Sequence, residues 1–444
     1  MKLLNSQRLS NNPFRNNNIR LLISTFLLAT PITVLLLYCV YQSYYHKSTD
    51  WSHSHDILDP ITHTHETSSL LYVASYGGLV TTLNLSLAGY RDTPLELEAL
   101  ATTDGCAGSP SWLTLNWHKG VLYCLDEGLR DGKNGSLASF ATSENGTLTP
   151  LAKVSTILGP VSAVMFGDWD YGLAVAHYGG SAFTAWDIQD PANITSVQVQ
   201  EFNLHKPGPD PSRQEAAHPH AAVVDPTKQF ILIPDLGADL IRIYGINAEG
   251  LGSTELNPLV VAPGSGPRHL VFAVKDTKTF MYLVTELSNT IVGYEVIYGG
   301  EFIVFKEIWS GGIHGKGKDV PQGAAAAEIA ISPDREFLII SSRNENTFKV
   351  PSFDAGNNTI TSDSLISFKI DGETGHLALH QDIPCGGKFP RHFAINKAGT
   401  LVAVALQRDG RIVIIERDVK TGMLGDFIAY AQLEGEVTAV VFYE

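Results

Sequence analysis

Four short strings carry the side chains best suited to chemistry: His218-Pro219-His220, Gly266-Pro267-Arg268-His269, the Glu286 of VTEL and the Arg343 of SSRN. Arginine presents a planar fork of donors that matches a carboxylate or phosphate. Histidine moves a proton near neutral pH. Glutamate acts as an acid or base once its surroundings shift it. Brought together, these groups would bind an anionic small molecule, stabilise developing negative charge and transfer a proton. The expected catalytic residues are therefore His220, Arg268, Glu286 and Arg343. No G-x-S-x-G elbow, P-loop or dinucleotide-type glycine motif in a strand–turn–helix context occurs. Zinc-type Cys/His spacing is absent too, and surroundings rich in arginine repel cations, so neither a metal nor another cofactor is expected.

The elements that must position these residues repeat. Apolar runs begin at Leu70, Val121, Gly172, Phe230, Phe280, Phe337 and Leu401, with spacings of 51, 51, 58, 50, 57 and 64 residues. Each run ends in a polar residue and a turn, and a second apolar strand follows. The clearest copy is HPHAAVVDPTKQFILIPDLGADLIRIYGI, residues 218–246. Strand-sized pieces at this period are the signature of a β-propeller. Most runs are preceded by another strand, such as WLTLNW or HLVFAV. The first run has none, and EVTAVVFYE at 436–444 has the right character to supply it. The expected fold is an all-β, seven-bladed propeller over 68–444, closed by the C-terminal strand, which hides the sheet edges.

In such a blade the start of the innermost strand and the end of the second strand lie at the same end. Residues there should line one funnel. Besides the four catalytic candidates, Glu127, His177, Arg213, Glu215, His218, Asp235 and Arg391 are expected at its rim. His218 and Glu215 read as supporting groups, and Asp235 as mainly a turn former in PDLGAD. His269 and His392 read as blade packing.

The segment before residue 68 is a separate object. Residues 1–20 carry Lys2, Arg8, Arg15 and Arg20 and no acid, and residues 21–40 are uncharged. Twenty such residues suffice to cross a bilayer. A cytosolic basic tail, a transmembrane signal anchor at 21–40 and a flexible stalk at 41–67 are expected, with the propeller lumenal or extracellular. A cleaved signal, giving a secreted protein, is the alternative. Sequons at Asn84, Asn134, Asn145, Asn193 and Asn357 agree with translocation, each beside an expected turn. Cys39 lies in the apolar run, so Cys106, Cys124 and Cys385 allow at most one intrachain disulfide, with Cys106 and Cys124 the nearest pair. The stalk's HxH pairs, His53/His55 and His63/His65, read as solvated linker. The net charge of −15 argues against nucleic acid as a partner of the propeller, which is expected to be monomeric.

The strings PDPSRQEAAHPH, VDPTKQFILIPDLGADLIRIY, GPRHLVF, YLVTELSNTIVGYE and AEIAISPDREFLIISSRN resemble the seven-bladed lactonase/cycloisomerase family. That family includes 6-phosphogluconolactonases of bacterial type and fungal carboxy-cis,cis-muconate cyclases. The resemblance implies opening or closing of a lactone ring on a carboxylate-bearing substrate. It also implies a His, two Arg and a Glu around the funnel, which fall on His220, Arg268, Arg343 and Glu286. His177 stands where lactonase relatives usually carry Asn. The other reading is a non-catalytic propeller, displayed on its anchor as a binding or adhesion module.

Overall fold

The computed structural model describes residues 69–86, 94–130, 132–300, 302–353 and 358–444. The expected basic tail, membrane anchor and stalk (residues 1–67) and Asn357 lie outside the described residues. Among the described residues no helix is long and apolar enough to cross a membrane.

The second strand of each blade explains why the repeat was visible. Strands Val121–Asp126, Gly172–His177, Phe230–Asp235 and Phe337–Arg343 are buried along their whole length. A strand covered on both faces must be apolar at every position, so it reads as an unbroken run. The outermost strands, such as Thr149–Thr156 and Thr195–Glu201, alternate towards solvent and left a weaker pattern.

Each run nucleates an antiparallel sheet of four strands, here called a to d from the axis outward. Blades two to seven take their four strands from consecutive sequence. Blade one takes strands b to d from Ser69–Ser75, Leu79–Leu85 and Glu98–Thr103, and its strand a from Val437–Tyr443. The C-terminal strand thus closes the ring, pairing Leu70 with Tyr443 and Val73 with Val440. Two features were not expected from the sequence. Leu95–Glu96 pairs in parallel with the outer strand of blade seven, Leu424–Gln432, and straps blade one to its neighbour. A hairpin, Phe348–Pro351 with Thr359–Ser362, is inserted between strands b and c of blade six.

The core is divided between the blades. One apolar cluster joins blades five and six through Phe280, Tyr282, Ile340 and Phe368. Another joins blades seven and one through Ile412, Ile414, Leu71 and Val440. Equivalent clusters fill the remaining blade–blade interfaces. Cys106 and Cys124 form a buried disulfide, Cα–Cα 5.9 Å, at the interface of blades one and two, and Cys385 is a buried free thiol. The sequons at Asn134, Asn145 and Asn193 sit exposed in connections. Asn84 does not lie in a turn: it is half-buried within Leu79–Leu85, opposite Leu70 and Glu98.

Every inner strand carries one extra residue near its start. Pro267 pairs with Thr285, but His269 pairs with Val284, and the same step occurs at Pro110/Trp112, Pro390/His392 and Val437/Ala439. Blade three steps between Pro160 and Ser162, and blade six between Ala326 and Ile329. In blade four the bridge Pro219–Asp235 is out of step with Val223–Leu232 in the same sense. Such bulges re-aim side chains.

Closure by the last strand has a direct test. Removing residues 437–444 exposes the edge of Ser69–Ser75 and opens the cluster between blades seven and one. Thermal unfolding of the truncated chain should lose its cooperative transition, and size-exclusion chromatography should show aggregation. A sharp melt close to that of the full chain would refute the closure.

Candidate active site

The bulges bring consecutive residues of one strand to the same axial cavity, which a regular strand would not do. Ser111 and Trp112, Arg268 and His269, and Arg391 and His392 all line it, together with Val161, His220, Glu328 and Thr438. Every blade thus contributes to one narrow cavity of about 10 Å³. A wider groove between blades three and four lies at the opposite ends of the strands and holds Asp168, Trp169 and Lys228. None of the arginine-bound groups reaches it.

Glu286 anchors one side of the mouth. Its carboxylate accepts hydrogen bonds from Arg213 at 2.6 Å and Arg268 at 3.0 Å and pairs with Arg343 at 2.8 Å. The three arginines arrive from different elements. Arg213 comes from the long connection into blade four, Arg268 from the bulge of blade five, and Arg343 from the end of strand b in blade six. Arg268 also donates to the Ala327 carbonyl at 2.6 Å, and Arg343 to those of Ala325 and Ala326 at 3.1 Å. Phe389 packs under Arg343 and Arg408, with ring centroids 5.0 and 4.3 Å away. It holds φ = 63°, where Gly159 and Gly266 occupy the equivalent positions before Pro160 and Pro267. A bulky residue in that region is strained and needs such packing to hold it.

Burial alone would raise the Glu286 carboxyl. Arg343, Arg268 and Arg213 outweigh it and hold the group far below the ordinary carboxylate range. Glu286 is therefore held as a carboxylate between its arginines. Across the mouth a second cluster is balanced one to one. Arg391 donates to Glu127 at 3.0 Å and to the Tyr76 hydroxyl at 2.9 Å, while Tyr76 donates to Glu127.

His220 lines the cavity within reach of an arginine from each cluster, Arg268 and Arg391. Burial, then Arg268, His269 and Arg391, push it well below the usual histidine value, so it is neutral. Its Nδ1 is 3.2 Å from His269 Nε2, and His269 Nδ1 is 2.9 Å from Glu328. That leaves His220 Nε2 for whatever enters the cavity.

The rim residues divide by strand parity. Counted from the start of each run, the seventh residues are Tyr76, Glu127, Tyr178, Leu236, Glu286, Arg343 and Gln407. Five of them belong to the two arginine clusters, since Tyr178 also contacts Arg213. His177 and Asp235 are sixth residues, and successive side chains of a strand point to opposite faces. The structure accordingly turns them away from the mouth. His177 bonds Thr184 at 2.8 Å and the Ile157 carbonyl at 3.1 Å, and burial lowers it to about 4. Asp235 pairs with Arg242 at 2.9 Å and caps the His218 N–H at 2.7 Å. His218 stacks on Tyr178, ring centroids 4.3 Å apart, and meets the exposed Glu215 at 3.1 Å.

Sequence reasoning missed Tyr76, Tyr178 and Glu328, and placed His269 and His392 in packing. The repeat itself held a signal for the tyrosines: VASYGG and VAHYGG put them at the same seventh position as Glu127 and Glu286. Among the described residues no group of histidine, cysteine and carboxylate side chains has the geometry to hold a metal ion.

A family model described as lactonase, 7-bladed beta-propeller, matches residues 71–442. A protein of Arthroderma benhamiae described as a probable 6-phosphogluconolactonase is 32% identical over 317 residues, covering 71% of this chain and 75% of that protein. The 6-phosphogluconolactonase of Bacillus subtilis is 27% identical, covering 71% of this chain and 82% of that one. The structure of a periplasmic gluconolactonase from Pseudomonas aeruginosa superposes with a TM-score of 0.68 at 23% identity, covering 85% of this chain and 99% of that one. That likeness concerns the fold.

Replacing Glu286 with Gln leaves three guanidinium groups without their counter-ion. Breaking a buried pair costs about 3–5 kcal/mol, so chemical denaturation should show a loss of that order. The folded carboxyl lies below its unfolded value of about 4.3, so its contribution is present above that pH and is lost as pH falls through the folded value. Wild-type stability should decline below about pH 4, and Glu286→Gln should flatten that decline. Equal stability of the two proteins at neutral pH would contradict the anchoring role.

Proposed function

We propose that this chain, which belongs to the seven-bladed β-propeller lactonase family, hydrolyses a small lactone that carries an anionic group. One observation carries the reading. Three arginines share a single carboxylate beside a neutral, buried histidine. The surplus positive charge suits a substrate carboxylate or phosphate, which arginine forks hold in a defined orientation. The balanced Arg391–Glu127–Tyr76 cluster offers donors and acceptors to neutral hydroxyls instead. A substrate with anionic groups at both ends would meet only one surplus cationic pole. That asymmetry, with relatives described as 6-phosphogluconolactonases, favours lactone hydrolysis over formation of a lactone from a polycarboxylate.

The chemistry follows from the arrangement. His220 Nε2 takes a proton from water as its oxygen bonds to the lactone carbonyl carbon. Negative charge moves to the carbonyl oxygen, where Arg268 stabilises it. The tetrahedral adduct then collapses, the ring C–O bond breaks, and the imidazolium returns the proton to the leaving oxygen. Glu286 holds the arginines and takes no proton. The axial cavity, about 10 Å³, has room for about one water molecule, against roughly 300–1,000 Å³ for an ordinary ligand pocket. The lactone ring would rest in the wider mouth, with only its carbonyl end reaching His220.

Kinetics on a panel of phosphorylated and unphosphorylated sugar lactones test this. His220→Asn should lower kcat by about 10²–10⁴-fold. Arg268→Lys and Arg343→Lys should each lower kcat/KM by roughly 10²-fold or more, because a lysine cannot reproduce the fork. Undiminished turnover in all three variants would sink the assignment of these residues, and no turnover of any lactone by the wild type would leave the propeller as a binding module.

We also propose that the propeller is lumenal or extracellular, held by the uncharged run 21–40. The buried Cys106–Cys124 disulfide supports an oxidising compartment, and Asn134, Asn145 and Asn193 are exposed to modification. Peptide N-glycosidase should shift the electrophoretic mobility of the native protein, which should stay with membranes after carbonate extraction. A soluble, shifted protein would indicate the cleaved signal, and no shift would refute translocation.

A further inference from the structure

We propose that Glu328 is a positioning residue that, through His269, decides which nitrogen of His220 faces the cavity. The proposal rests on His220 being the base, and its test does not depend on lactone turnover.

Glu328 is a buried charge in an inner strand otherwise made of small and apolar residues, AAAEIAI at Ala325–Ile331. Burial by itself would raise its carboxyl. His269, His392 and Arg268 outweigh that and bring it down to about 2. An ionised carboxylate can only accept. Its Oε1 lies 2.9 Å from His269 Nδ1, so that nitrogen carries the hydrogen. Burial lowers His269, and a neutral imidazole has one N–H. Its Nε2 is then bare and must accept. The group 3.2 Å away is His220 Nδ1, which must therefore donate. His220 is neutral as well, so its single hydrogen is spent on His269. Nε2, on the cavity side, keeps its lone pair. The carboxylate thus fixes two tautomers in succession, as outer partners of an imidazole do elsewhere.

The surrounding rings hold the chain in register. Trp112 meets His269 and His392 edge-on, with centroids 5.8 and 5.2 Å apart. His392 Nε2 faces the second oxygen of Glu328 at 3.8 Å. Tyr178 closes the outer side of His220, centroids 5.4 Å apart. The titratable or charged groups facing His220 are Arg268, His269, Arg391 and Tyr178. Among these only His269 is hydrogen-bonded to its ring.

A glutamine at position 328 removes the constraint. Its amide can donate to His269 Nδ1, which turns His269 into the Nε2–H form. His269 then donates to His220 Nδ1, and the hydrogen of His220 moves to Nε2. The lone pair that would accept a proton from water is gone.

Nitrogen-15 NMR of the histidine rings in the full-length protein at neutral pH, without ligand, reads this directly. His220 is assigned by the signal lost in His220→Gln. Wild type should show His220 and His269 protonated at Nδ1. Glu328→Gln should move both hydrogens to Nε2, and Glu328→Asp, which keeps the acceptor, should restore the wild-type pattern. In parallel, kcat should fall by about 10²–10⁴-fold in Glu328→Gln, as expected for a wrong tautomer, with KM within about twofold. A wild-type His220 protonated at Nε2 overturns the proposal even if Glu328→Gln does not fold. Unchanged tautomers in a folded Glu328→Gln overturn it too. The expected tautomers in a protein that turns over no lactone would count against the hydrolase reading and leave this one standing.

Discussion

Side chains of an extended strand alternate between two faces, so a regular inner strand would show the axis only every second residue. The extra residue near the start of each inner strand breaks that alternation at the mouth of the ring. It sets Arg268 beside His269 and Arg391 beside His392 on one cavity, and at the start of the blade-six inner strand the Ala325, Ala326 and Ala327 carbonyls accept from Arg343 and Arg268. The bulge leaves ladder partners unmade, a cost tolerated where a side chain must be re-aimed. Without it, the arginine cluster and the histidine chain could not share a wall.

Two kinds of electrostatics then separate in space. At the mouth, charge is in excess: three guanidinium groups meet one carboxylate. On the axis, charge is hidden: neutral histidines lead to one buried glutamate. Low dielectric strengthens both arrangements. It strengthens the excess positive charge at the mouth, and it keeps His220 neutral. The same burial that lowers His220 would raise Glu286, were the arginines not there. The two groups therefore have opposite fates: burial leaves His220 neutral, and the arginines leave Glu286 a fixed counter-ion.

The ring makes these arrangements possible by bringing distant chain segments together. Arg391 in blade seven reaches Tyr76 in blade one and Glu127 in blade two only because Val437–Tyr443 pairs with Ser69–Ser75. Thr438, on that closing strand, lines the cavity itself. Closure is thus part of the site as well as of the fold, and loss of the last strand removes both.

The seven-bladed architecture was legible in the sequence because strand b is buried on both faces and must be apolar throughout, so each blade announces itself once. Arg268, Glu286, Arg343 and His220 were legible because turns beside such runs seldom carry so many chemical side chains. What the sequence could not decide was direction. His177 and Glu127 end equivalent strands one residue apart in register, and that single step sends one into the sheet and the other to the mouth. Nor could it show that Glu286 is saturated by three arginines, since Arg213 comes from a connection with no repeat to place it. Glu328 stood in plain view as a lone charge in an alanine-rich strand, yet its meaning depends on His269 and His220, residues 59 and 108 positions away. Local patterning determined which strands exist and which residues stand at their ends. Only the closed ring decided which of those residues meet, because hydrogen-bond partners and desolvation are properties of three-dimensional neighbours.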